Sequence, residues 1–290
     1  MSVARFVVLV FTILLFAAGP ASAAPALWVV EAGDAKVYLF GTVHVMKPDA
    51  TWHTPVLDAA IAESADAWLE VEDPDDVAAV VPLLRELGID AAHPLSTKLS
   101  KADLARVDEA VKSIGAPGEA AFETFRPWLV SMTISTIPLQ RAGYDPKSGI
   151  DLGIKHVFDA AKKPVHGFET LSQQMHLFAD VTPEQEIAML DATLDQIGAL
   201  PTALNSLVSM WLSGDMDRFT AVTQSTSFRG SPEMYERLVV RRNTDWALQL
   251  HRRMQTRGVS FVAVGAAHLA GPDSVQTHLE KMGYRIKRVQ

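Results

Sequence analysis

The chain has 290 residues, 48% of them hydrophobic and 21% charged, with no cysteine and a formal net charge of −8. That composition is enough for one ordinary hydrophobic core, and the lack of cysteine excludes disulfides, thiol nucleophiles and thiolate zinc sites, so any metal falls to His, Asp or Glu. Acidic and basic residues are interleaved without a basic stripe to neutralise phosphates, so nucleic acid is not an expected partner.

At the N-terminus Arg5 precedes an apolar run from Phe6 to Ala18, Gly19 and Pro20 break it, and Ala21-Ser22-Ala23 offers small residues at a cleavage position. This is the pattern of a secretory signal peptide, and the run falls short of the ~20 residues of a membrane-spanning helix. The expected organisation is a signal over 1–23 and one domain over 24–290. The mature protein is then periplasmic or secreted, with no integral membrane segment left after cleavage.

Two β-rich runs, Ala26 to Glu31 and Lys36 to Phe40, flank Ala32-Gly33-Asp34-Ala35 and predict a hairpin whose second strand leads into Gly41-Thr42-Val43-His44. Thr54 and Pro55 open a helix that runs to Ser64. Ala67 to Val71 then reads as a buried strand ending in Glu70, Glu72 and Asp73. From Asp75 to about Gln140 the pattern is helical, with Ser100 and Asp103 in a capping-box spacing. Ile150 to Lys162 is helical, and Val165 to Phe168 is a short strand ending at Glu169. Thr182-Pro183 starts a further helix, and Pro232 to Arg257 reads as one long helix. Val259 to Val264 is a continuous strand that delivers Gly265-Ala266-Ala267-His268, followed by a helix from Pro272 to Met282 and a strand from Tyr284 to Val289. The fold class is α/β: a small mixed sheet built from both chain ends, with a large helical insertion in a position to form a lid.

Two strands thus end in the same Gly-x-x-His turn, in which glycine permits a sharp bend and the histidine falls at the strand end, where open α/β sheets place their ligands. Glu70 and Glu169 mark two further strand ends, so imidazoles and carboxylates can converge on one crevice, a donor set suited to divalent metals. A carboxylate at Glu70, between Leu69 and Val71, needs a partner because burying it alone is costly. Glu72 and Asp73 read as a solvated strand exit, and Glu169 serves equally as a first-turn carboxylate of the next helix. Arg241-Arg242-Asn243 reads by default as a salt-bridged helix face.

Taken together and in order, Leu39-Phe40-Gly41-Thr42-Val43-His44, Leu69-Glu70-Val71-Glu72, Gly149-Ile150-Asp151, Gly167-Phe168-Glu169-Thr170, Arg242-Asn243 and Gly265-Ala266-Ala267-His268-Leu269-Ala270-Gly271-Pro272 resemble the TraB/GumN family, which includes the Tiki Wnt-inactivating proteases. The resemblance spans nearly the whole mature chain. It implies a fold like that of erythromycin esterase and the haem-binding ChaN proteins, and a metal-dependent peptidase activity. In that picture His44 and His268 are metal ligands, Glu70 is a ligand or general base, and Glu169 and Arg242 support the site. The implied cofactor is a divalent ion (Mn, Co or Zn) that activates water while Arg242 steadies the developing oxyanion, and the implied partner is a peptide or other small-molecule substrate. Two other readings stand beside this one: a non-catalytic binder of peptide, haem or metal in the same crevice, and a metal-free hydrolase with a histidine as general base.

Overall fold

The computed structural model describes residues 24–290 apart from 114, 116 and 226–229; the expected signal over 1–23 lies outside the described residues. The expected hairpin is β1 (Leu27–Ala32) and β2 (Ala35–Thr42), paired antiparallel about Gly33, whose φ of +59° suits the tight turn. With β3 (Asp66–Val71), β4 (Val165–Glu169), β5 (Gly258–Gly265) and β6 (Ile286–Arg288) it forms one six-stranded sheet in the order β4-β3-β5-β2-β1-β6. β4, β3, β5 and β2 run parallel, while β1 is antiparallel to both β2 and β6. The two strands that carry the Gly-x-x-His turns are therefore neighbours, with Thr42 paired to Gly265.

The helices are α1 (Pro55–Glu63), α2 (Val77–Gly88), α3 (Leu95–Lys98), α4 (Lys101–Ser113), α5 (Pro127–Arg141), α6 (Ile150–Ala160), α7 (Leu171–Ala179), α8 (Pro183–Gln196), α9 (Leu200–Ser213), α10 (Met216–Thr223), α11 (Pro232–Tyr235), α12 (Arg241–Arg253) and α13 (Val275–Lys281). The long helix expected from Pro232 is interrupted by a π-helical turn, Glu236–Val240, between α11 and α12. The helix expected from Pro272 begins later, because Gly271 takes a φ of +81° and Ser274 caps α13 by accepting from the Thr277 N–H.

Strand alternation splits the core between the two faces of the sheet. Phe40, Leu69, Phe261 and Ala263 pack with Leu57 of α1, Ile154 and Phe158 of α6 and Trp211 of α9. Val37, Leu39, Val262 and Val264 pack on the other face with Trp246 and Leu250 of α12 and Leu279 of α13. The helical insertion comes in two pieces, one between β3 and β4 and one between β4 and β5. They share a core of their own: Val107 and Val111 of α4, Val130 and Ile134 of α5 and Leu190 of α8. Arg126 ties the pieces together, giving one N–H to Leu87 O at 2.9 Å and its Nε–H to the buried Glu186 at 3.1 Å.

Candidate active site

Parallel strands bring their C-terminal ends to one edge of a sheet, and here that edge collects Thr42 at the end of β2 and His44 just beyond it, Glu70 on β3, Glu169 on β4, and Gly265 at the end of β5 with His268 just beyond it. All five residues expected at the site, His44, Glu70, Glu169, Arg242 and His268, meet there. Glu72 and Asp73 are exposed beyond the strand end, as the solvated-exit reading expected.

Arg242 is the hub. It stands in the first turn of α12, just after the π-helical turn, with its side chain only 10% exposed and its guanidinium 4.6 Å from the Trp246 ring centre. Nε donates to Glu169 Oε1 at 2.8 Å, Nη2 to Glu70 Oε2 at 2.6 Å and to Glu169 Oε2 at 3.1 Å, and Nη1 to Leu238 O and to His268 Nε2, both at 3.1 Å. All five N–H groups are used, so this is a fully bonded buried cation between two buried carboxylates. The default reading of Arg242 as a surface helix charge is overturned: it points into the sheet.

Glu70 also accepts from the Gly265 N–H at 2.8 Å and from Gln174 at 3.1 Å. Burial opposes its charge, but the imidazoles of His268 and His44, Arg242 and the Gly265 N–H together hold its carboxyl well below the usual carboxylate range. Arg242 and His44 carry the positive charge in that group, since His268 is itself neutral. His268 donates from Nδ1 to Asn243 Oδ1 at 2.6 Å and accepts from Arg242 at Nε2, and burial pushes its pKa down to about 3. Asn243, fully buried, is fixed in turn by the Asp273 carbonyl at 2.7 Å.

His44 differs in kind. Its ring is ringed by charged groups, yet 58% of the side chain opens to solvent. Nδ1 donates to Asp151 Oδ1 at 3.2 Å, and Nε2 lies 3.7 Å from Glu70 Oε1. Desolvation disfavours its charge, but the Asp151 hydrogen bond and the Glu70 and Asp151 charges outweigh it and push the pKa up to about 9. Gly149 lets Asp151 reach this position, because a Cβ there would fall 2.5 Å from His44 O. These side chains open onto a cleft of about 760 Å³ lined by Thr42, His44, Glu70, Val77, Asp151 and Gln174 among others. A larger hollow of about 950 Å³, lined by Ala24, Trp52 and Val289, contains none of these groups.

A metal at this site would be held by His44 Nε2, Glu70 Oε1 and His268 Nε2, with the two imidazole nitrogens 3.7 and 3.8 Å from the carboxylate oxygen. As placed, these residues do not form a metal shell. Arg242 already occupies His268 Nε2, and among the described residues no group of three His, Asp or Glu is arranged to hold a metal ion.

Reasoning from sequence missed the side-chain partners that set these states. Asp151 carried a signal in its place after Gly149-Ile150, but a first-turn acid has an ordinary helix-dipole explanation. Asn243 stood next to Arg242, and Gln174 carried no signal.

The TraB/PrgY/gumN family model matches residues 26–288. An uncharacterized protein of Treponema pallidum (strain Nichols) is 22% identical over 267 residues, covering 86% of this chain and 78% of that one. No solved structure matches the chain.

Proposed function

The chain belongs to the TraB/PrgY/gumN family, and from that premise and the geometry of its cleft we propose that it is a hydrolase of carboxylic-acid derivatives, with peptides as the first substrate class to test. The observation that carries this reading is the His44–Asp151 pair opening onto the cleft, with its free ring nitrogen facing the buried, ionised Glu70. A water held between Nε2 and Oε1 attacks the substrate carbonyl carbon and passes a proton to Glu70. His44, charged near neutral pH, donates its Nε2 proton to the leaving nitrogen or oxygen and recovers one from Glu70. Asp151 fixes the ring and favours its charged form; Arg242 and His268 hold Glu70 in place. No step runs through a metal.

The reading includes export before function, with the mature chain starting near Ala24, which mass spectrometry of the secreted protein checks. The activity test is hydrolysis of a peptide and ester library by wild type and His44→Ala, alongside elemental analysis of protein purified without chelators. Turnover that His44→Ala reduces by about 10²-fold or more, in protein free of metal, supports the proposal. Stoichiometric metal lost in a His44→Ala/His268→Ala variant replaces this mechanism with a metal-dependent one, and absence of turnover with or without added Mn, Co or Zn leaves the cleft as a binding site.

A further inference from the structure

The geometry points to Thr42 as a further substrate-contacting residue, whose hydroxyl donates a hydrogen bond to the carbonyl oxygen that gains charge when the substrate is attacked; this rests on the hydrolase reading above. Thr42 ends β2, and its backbone is committed to the ladder opposite Gly265. Thr42 is among the residues that line the cleft with His44 and Glu70; the residue is 2% exposed, and its Oγ1 has no hydrogen-bond partner among the described residues.

The other polar side chains of the cleft are accounted for. His44 is paired with Asp151, Glu70 with Arg242 and Gln174, and Asp75 lies 4.0 Å from Lys155, while Lys147 and His156 are solvated at the mouth. A buried hydroxyl without a partner is costly, and valine has the same shape without that cost. An acceptor bound in the cleft would give the hydroxyl the partner it lacks. Oγ1 makes no hydrogen bond to His44 or Glu70, so neither is placed to take its proton, which makes Thr42 a donor and not a nucleophile. A hydroxyl donor fixed at a strand end beside the reacting water is the kind of group that stabilises an oxyanion.

The test measures kcat and KM for wild type, Thr42→Val, Thr42→Ser and His44→Ala on the best library substrate, together with the Tm of each. The expected result is a fall in kcat of about 10²-fold in Thr42→Val, the loss typical of an oxyanion donor, with KM little changed, most activity retained in Thr42→Ser, and a Tm in Thr42→Val equal to or above wild type. A Thr42→Val enzyme with kcat within twofold of wild type overturns the inference, as does a kcat loss accompanied by a lowered Tm and shared by Thr42→Ser, which marks a packing role. Turnover abolished in His44→Ala but kept in Thr42→Val rejects Thr42 alone; no turnover in wild type rejects the hydrolase reading and this inference with it.

Discussion

His44 and His268 sit in the same tetrapeptide, yet their surroundings drive them to opposite charge states. His44 holds its proton to about pH 9 because Asp151 and Glu70 face it, whereas His268, closed in by Asn243 and Arg242, stays neutral to about pH 3. The sign of the linkage follows. Unfolded histidine titrates near ~6.5, so the stabilisation from charged His44 is complete below that pH and is lost as pH rises through about 9. Neutral His268 works the other way, costing stability as pH falls below ~6.5. Removing the Asp151 partner isolates the first effect: in urea denaturation of metal-free protein, Asp151→Asn is expected to be least stable relative to wild type near pH 6 and to converge with it by pH 10. A difference that does not depend on pH would show that Asp151 does not set the His44 charge. Arg242 is a second residue-scale case. Arg242→Ala leaves Glu70 and Glu169 buried without their counter-charge, and a loss of about 3–5 kcal/mol of unfolding free energy is expected. Arg242→Lys is not a conservative repair, since an ammonium has three donors where five are used.

Elements rather than side chains explain why these groups meet. Gly265 shows how tight the meeting is: a Cβ there would stand 3.1 Å from Glu70 Oε1 and 3.2 Å from His44 Nε2, in a backbone conformation open to alanine. Gly265→Ala is expected to fold with a near-normal Tm while losing about 10²-fold in turnover, because the methyl occupies the space the attacking water needs. Unchanged turnover would place the reaction elsewhere. The elements themselves were largely readable in the sequence. Turn residues at Gly33 and Asp34, the cap at Thr54 and the continuous apolar run before Gly265 are local signals, and each marks the element it predicts. What was not readable depends on the fold. The π-helical turn at Glu236–Val240 has no local signature. Arg242 looks like any helix charge until α12 is laid against the sheet. The start of α13 was misplaced because a first-turn proline at Pro272 is a weaker determinant than the left-handed Gly271 and the Ser274 cap. At the site, the Gly-x-x-His turns and Glu70 announced themselves, but their protonation states are set by Asp151 and Asn243, which reach them only in the folded chain.

On the scale of the whole molecule, the two helical insertions are joined by an ion pair between the partly exposed Arg126 and the buried Glu186, and Arg126→Ala is expected to destabilise the protein by about 3 kcal/mol because the buried carboxylate is left without its cation. A smaller loss in calorimetry would mean that the insertions are held chiefly by the Val107, Val130 and Leu190 cluster. The order of the sheet has a different consequence, one of timing. β5 lies between β2 and β3, yet it is the last of the parallel strands to be made. As the chain emerges, β2 and β3 wait with a vacant slot between them, each presenting an unpaired edge to whatever is nearby. The site forms only when β5 fills that slot, so folding is expected to be slow for the size of the protein and prone to aggregation before that step. Until β5 has been made, those two edges remain open to pairing with other chains.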